Sequence, residues 1–419
     1  MNLVKTSFFS AIITFIKLVS GFVIGKIIAT ITGTSGVAIV GSFSNFITII
    51  IAIANGATNN GIVKYTAENQ DNPEYLKSLF STSLWITIGC SVIVSLFMVL
   101  FPSVISTFIF TTKIYGNVIR IFGISVVFYA LNSLLLSILN GKNQIKYYTI
   151  ANAIGSIIGL IITLILVFKY KILGALYSLV LSQAIVFFVT VVLTTKCEWF
   201  HWSYFSQSFS KRIALLLSKF SIMAIVTAVT VPVGQLVIRN LIANNLGYDA
   251  AGNWQGLLRV SDGYLMIITS SLSIYYLPKL SSLKDNYLLK KEIFDGYKIF
   301  LPLTLIGCLF IYFARYIIIN LLYTSAFKEM ESLFLWQLCG DFFKIAAWIL
   351  SYLMLAKAMT KYYIITEIIS TVIYVVLSYI LINKFGIIGV TYAFAINYFV
   401  YFLIMVFIFK NILQTKKTI

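Results

Sequence analysis

Apolar runs of about 20 residues, separated by short polar gaps, recur along this chain from end to end. Each run is long enough, at 1.5 Å per residue, to cross the ~30 Å hydrocarbon core of a bilayer as a helix. The pattern predicts spans near 8–32, 38–58, 79–101, 114–140, 148–168, 173–194, 215–242, 251–277, 298–323, 332–356, 362–383 and 388–409. These are twelve transmembrane helices. A membrane barrel would need ~10-residue segments of alternating polarity, and the runs here are continuous and too long. The chain begins "MNLVKTSFF", and no small-residue cleavage site follows the first apolar run, so that run is expected to stay in place as span 1.

Composition points the same way. The chain is 60% hydrophobic and 11% charged, with a mean hydropathy of +0.96, where globular proteins carry about a quarter charged residues. With the N-terminus inside, 18 Lys and Arg residues fall in cytoplasmic segments and 5 outside. That bias predicts both termini cytoplasmic. The formal charge of +18 is therefore read as topology. A nucleic-acid partner is excluded, because no soluble basic face exists.

The chain also repeats itself. "GKNQIKYYTI" at 141–150 and "AKAMTKYYII" at 356–365 are related by a shift of 215. The same shift places Lys169 on Lys384, Gly174 on Gly389 and Tyr177 on Tyr392, while a shift of 214 places Lys5 on Lys219, Ser7 on Ser221 and Gly33 on Gly247. Each repeat holds six spans, an even number, so both insert the same way up and are related by a pseudo-two-fold axis along the membrane normal. The expected organisation is an N-lobe at 1–196, a cytoplasmic linker at 197–214 and a C-lobe at 215–419, with a central cleft between the lobes.

Eight cations fall inside predicted spans: Lys17, Lys26, Arg120, Lys219, Arg239, Arg259, Arg315 and Lys344. Only Asp262, Asp341 and Glu367 oppose them. Left at the centre of lipid-facing helices, eight cations would cost roughly 20–28 kcal/mol on the lenient insertion scale. Arg120 and Lys219 stand near span ends and can snorkel. Arg259 with Asp262, and Asp341 with Lys344, are three apart on a helix and can neutralise each other. Lys17 is nine residues into span 1, about 14 Å deep. Arg239 lies beyond Pro232 and Gly234, which are expected to kink span 7. This positive surplus calls for an anionic ligand, phosphate above all. Around it, Asn45, Asn55, Asn59, Asn60, Trp254, Gln255 and Tyr264 offer amides and aromatic faces suited to sugars.

The chain resembles the Wzx-type lipid-linked oligosaccharide flippases, the O-antigen and enterobacterial common antigen translocases of the multidrug/oligosaccharidyl-lipid/polysaccharide (MOP) exporter superfamily. The resemblance rests on "TFIKLVSGFVIGK", "GIVKYTAENQDNP", "LSKFSIMAIVTAVTVPVGQLVIRNLI", "NWQGLLRVSDGYLMIITSSLSIYYLPKLSSL" and "LWQLCGDFFKIAAWILSYLMLAKA". It implies a V-shaped all-α transporter in the bacterial inner membrane that turns undecaprenyl-pyrophosphate-linked oligosaccharide from the cytoplasmic to the periplasmic leaflet by alternating access. On that likeness Lys17, Lys26, Arg239 and Arg259 receive pyrophosphate, and Asn45, Asn55, Trp254 and Gln255 contact glycan. The implied partners are the lipid-linked oligosaccharide, the bilayer, and a polysaccharide polymerase with its chain-length regulator.

No cofactor is expected. No G-x-x-x-x-G-K-[ST] loop is present, so ATP is not used directly. Coupling to H+ or Na+ would need an intramembrane carboxylate, and Asp262 and Asp341 are the candidates. An enzyme acting on the same lipid would need an acidic pair or a large extramembrane loop, and the gaps reach only about 20 residues. Cys90, Cys197, Cys308 and Cys339 have no metal or disulfide spacing. The alternatives are a multidrug exporter of the same superfamily, whose cationic ligands suit a positive site poorly, a non-transporting scaffold of the glycan assembly machinery, and a peptidoglycan-precursor flippase, which is built with additional spans.

Overall fold

The computed structural model describes residues 3–283, 285–357 and 359–415; the side chains of 3–15, 17, 18, 219, 220, 223, 273, 274, 277, 278 and 282 are not among those described. Among the sequence-derived positions, the side chains of Lys5, Lys17 and Lys219, and all of Lys284, Lys416 and Lys417, lie outside the described residues.

Every long element is a helix, as bilayer-crossing backbone requires if all its N–H and C=O groups are to be paired within one segment. In chain order these are α1 Leu3–Ala54, α2 Asn59–Glu68, α3 Pro73–Leu100, α4 Pro102–Phe110, α5 Gly116–Gly141, α6 Ile145–Thr195, α7 Lys211–Leu246, α8 Tyr248–Ser271, α9 Leu277–Ser282, α10 Asn286–Leu322, α11 Phe334–Ala356, α12 Thr360–Phe385, α13 Ile388–Ile408 and α14 Lys410–Gln414. Short 3-10 turns cover Trp202–Phe205 and Ser325–Leu333, and one π-helical turn, Leu272–Tyr276, joins α8 to α9.

Helix starts follow local chemistry. At α3 the Asn72 side chain accepts from Tyr75 N at 3.1 Å and Pro73 takes the first position. At α10 Asp285 accepts from Leu288 N at 2.9 Å, so this helix begins twelve residues before the apolar run at 298–323. Its first turns are polar, and a hydropathy pattern does not register them.

Nine stretches among the described residues are long and apolar enough to cross a membrane. Two of them are broken within their length. Residues 33 (φ 70°, ψ −167°) and 171 (φ 51°, ψ −123°) break α1 and α6 into two segments each. The 24-residue α8 is more polar and is not among the nine. The architecture is thus that of an all-α integral membrane protein, consistent with the twelve spans read from the sequence. α7 is helical across Pro232.

The duplication is visible in the backbone. Lys171 and Gly386, 215 apart, both have positive φ (51° and 63°); so do Gly33 and Gly247, 214 apart (70° and 91°). A Cβ added to Gly174 would fall 1.9 Å from Leu166 O, and one added to Gly389 would fall 2.2 Å from Leu381 O. Those carbonyls are themselves 215 apart. Backbone approaches this close admit only glycine.

By packing, the chain forms two compact units. One comprises residues up to Thr32 with Ile39–Leu236, and the other Gly33–Ala38 with Val237–Ile419. The lobes expected from the repeat and the units found by packing divide span 7 differently. In the first unit Phe80, Leu76, Leu79, Leu134 and Ile138 form a buried cluster with Ile213 and Leu217. The linker is fastened to it: Ser81 Oγ donates to Gln207 O, Ser210 N donates to Thr82 Oγ1 (3.1 Å), and Phe80 stacks on Phe205 (6.0 Å). In the second unit Trp254 and Ala251 of α8 pack with Ile238 and Ile242 of α7 and with Tyr374, Val390 and Phe394.

Candidate functional site

Within the second unit, α7 carries Arg239 and α8 carries Arg259, two of the eight intraspan cations singled out above. Arg239 is 1% exposed and Trp254 0%. The Arg239 guanidinium donates through Nη2 to Gln255 Oε1 and lies 5.5 Å from the centre of the Trp254 ring. A charge withdrawn from solvent is tolerable only with such partners. Trp254 is inaccessible, held by the apolar cluster on its other side. It lies against Arg239, and in this conformation both side chains are closed off from solvent.

One helical turn beyond Gln255, on the same face of α8, stands Arg259. It is half-buried, and among the described residues it has no hydrogen bond, ion pair or ring contact. Its guanidinium is close enough to that of Arg239 for the two charges to repel. It also lies near Tyr323, whose hydroxyl donates to Gly256 O at 3.0 Å. Guanidinium groups are the side chains best suited to fork the paired oxygens of an anion. Arg315, by contrast, is occupied. It pairs with Glu331 (3.9 Å), stacks on Tyr312 and Tyr316 (4.3 and 4.5 Å) and donates to Tyr312 O.

The i, i+3 pairings do not form as ion pairs within 4 Å among the described residues. Asp262 is exposed. Lys344 lies over the rings of Trp348 (4.9 Å) and Tyr398 (5.8 Å). Asp341 is fully buried, at 0% exposure. Its Oδ2 accepts from Ser261 Oγ (2.5 Å) and Tyr264 OH (2.8 Å), and its Oδ1 from Gln337 Nε2 (3.3 Å). A spacing rule finds neighbours on one helix, whereas these partners come from α8 as well as α11.

In the first unit, Asn45 donates to Gln235 Oε1 at 3.0 Å. Asn55 is buried, and its Oδ1 accepts from Ala57 N at 3.0 Å. It shapes the turn after α1, where Gly56 and Ala57 both have positive φ. Lys26 is half-buried on α1. Gln235 and Tyr323 escaped the sequence reading, Gln235 because a single amide in an apolar run carries no pattern of its own.

The polysaccharide biosynthesis protein family matches residues 41–332. The Lipid III flippases of Escherichia coli (strain K12) and Shigella flexneri are each 32% identical over 405 residues, covering 96% of this chain and 97% of theirs. Among solved structures, an inward-facing multidrug resistance MATE family transporter of the MOP superfamily superposes with a TM-score of 0.76 at 15% identity, over 96% of each chain. The lipid II flippase MurJ, in an inward closed conformation, does so with a TM-score of 0.71 at 19% identity, over 96% of this chain and 87% of its own. Likeness at that level of identity speaks for the fold alone, while the full-length relatives and the matched family speak for descent. The chain belongs to the polysaccharide biosynthesis protein family and has the fold of the MOP-superfamily transporters.

Proposed function

We propose that this chain is a lipid-linked oligosaccharide flippase, moving undecaprenyl-pyrophosphate-linked glycan from the cytoplasmic to the periplasmic leaflet of the inner membrane, with both termini cytoplasmic. The observation that carries the reading is the 32% identity to flippases along 96% of the chain. The Arg239 and Arg259 pair supports it independently, because a multidrug exporter for cationic drugs has no use for two clustered guanidinium groups.

On this reading Arg259 and Arg239 receive the pyrophosphate, Arg259 with its donors uncommitted and Arg239 held from behind by Trp254 and Gln255. Lys17 and Lys26 of span 1 add positive charge for the same anion, and Asn45 and Gln255 offer amides to the glycan. Asp341 is the candidate for ion coupling: a carboxylate kept from water by neutral donors is sensitive to the arrival of a proton or cation. Asp262, exposed on the same helix as Arg259, is the second candidate. A polymerase and a chain-length regulator would take over the delivered repeat unit.

The test is complementation. A strain lacking its own flippase for such a glycan, supplied with this chain, should regain surface polysaccharide. If it regains none while the protein is present in the membrane, and instead gains resistance to cationic dyes, the multidrug reading replaces this one.

A further inference from the structure

The first unit contains a half-open cavity of about 280 Å³, lined by polar and apolar groups of α1, α5 and the two halves of α6. Its wall includes Ser20, Asn132, Asn152, Thr163, Ser182 and Gln183, together with Gly21, Gly155 and Gly159, and among the described residues it carries no charged side chain. Asn132 is 2% exposed and donates through Nδ2 to Gln183 Oε1 at 3.4 Å, while its Oδ1 has no partner. Buried amide oxygens are rarely left in this state, and the exceptions call for an explanation.

The second repeat shows how the same fold treats these positions when no space is kept. At the shift of 215, Gly159 becomes Tyr374, Ser182 becomes Asn397, Gln183 becomes Tyr398, Val186 becomes Tyr401 and Gly155 becomes Ser370. There Asn397 and Ser370 bond each other at 3.1 Å, and the rings of Tyr374 and Tyr398 pack on Phe394 at 5.6 and 4.7 Å. Side chains fill that interface in one repeat, and glycine and serine leave it open in the other. A Cβ on Gly159 would meet only Ser182 Cβ, at an ordinary 3.9 Å, and one on Gly21 would meet nothing within 4 Å. The small residues are thus not demanded by helix packing at those two positions.

The lining determines what the cavity suits. Among the described residues no charged side chain lines it to compensate an ion withdrawn from water. Its hydroxyls and amides supply both donors and acceptors. Its volume lies far above the ~10–15 Å³ that a single water needs and near the lower end of the ~300–1,000 Å³ of small-molecule pockets. We propose that this cavity is a second binding site, distinct from the arginine pair, for one uncharged sugar ring. Resting on the flippase reading, the ring is a residue of the transported glycan, and the site contributes to sugar selectivity.

The experiment uses the purified full-length chain in detergent and follows thermal unfolding during titration with glucose, N-acetylglucosamine, or the acyclic alcohol sorbitol as control, in sodium and then in choline chloride. A ring sugar should stabilise the chain saturably where sorbitol does not. Gly159→Leu and Gly21→Leu, which fill the space without meeting backbone, should each raise the half-saturating concentration by about tenfold or more. The proposal is overturned if no ring sugar acts saturably, if both filled variants respond like the parent, or if sodium alone reproduces the shift. If the sugar binds as described but the chain never restores surface glycan, the flippase reading fails and this site stands. If Gly159→Leu at parental protein level transports the glycan with unchanged sugar preference, the site fails and the flippase reading stands.

Discussion

Arg239 and Arg259 should separate stability from transport. Replacing Arg239 by Ala removes a hydrogen bond from a charged donor, worth about 1.5–3 kcal/mol, and a desolvated cation–π contact worth about 2 kcal/mol. It also vacates one of the largest fully buried side chains of the fold. Against these losses stands relief from holding a charge out of water, so the net destabilisation is expected at about 2–4 kcal/mol. For domains of 150–250 residues each kcal/mol moves Tm by about 2–4 °C, which puts the expected drop at roughly 5–15 °C.

Arg259→Ala loses no bond, because Arg259 makes none among the described residues, and it removes a repulsion on Arg239. Its stability should stay within about 0.5 kcal/mol of the parent. If Arg259 forks the pyrophosphate, however, losing a charge-assisted contact of about 1.5–3 kcal/mol should slow transport by about 10- to 150-fold. Arg259→Lys should recover part of this, keeping the charge without the fork. The measurements are thermal unfolding in one detergent at one scan rate, and surface glycan in a flippase-deficient strain at matched protein level. Arg259→Ala unfolding as early as Arg239→Ala, or retaining transport within about twofold, would refute the reasoning.

Asp341→Asn keeps acceptors for Ser261 and Tyr264, so the chain should fold, but transport should lose its dependence on an imposed proton or sodium gradient; flux in vesicles that still follows the gradient removes Asp341 from coupling. Gly174→Ala and Gly389→Ala drive a Cβ onto a carbonyl in the same way, and both should lower folded yield by a similar amount. A large effect at one and none at the other would deny the structural equivalence of the repeats. Ser81→Ala with Thr82→Val removes two tethers of the linker and should speed proteolysis within 201–210 while leaving Tm within a few degrees. An unchanged cleavage rate means that the aromatic contacts of Phe205 and Tyr204 with Phe80 hold the linker by themselves.

What could be read from the sequence follows from the kind of signal each feature leaves. Spans are legible because hydrocarbon demands about 20 apolar residues in a row. The repeat is legible because its turns need particular backbone: the shift that aligns Gly33 with Gly247 also aligns their positive φ angles. Arg239 stood out because a cation in an apolar run has a cost that calls for a reason. The roles of its neighbours did not. The sequence marks Trp254 as an aromatic face for a sugar, and the structure adds that it packs against α7 and the C-terminal helices and stands beside Arg239. The sequence marks Asn55 as a ligand amide, and the structure adds that its Oδ1 accepts from Ala57 N in a turn of positive φ.

The N-lobe cavity was hidden for a different reason. A void is a property of several helices at once, and no single run of residues contains it. Its trace was nonetheless present in the alignment of the two repeats, in the substitution of Gly159 by Tyr374 and of Ser182 by Asn397. Matching positions fix the symmetric scaffold, and the mismatches mark where the lobes were put to different uses. Arg239 faces Gly25 across the repeat, and the cavity faces a tyrosine-filled interface. In a duplicated transporter, the positions where small residues in one half oppose large ones in the other are therefore where binding space should be sought first.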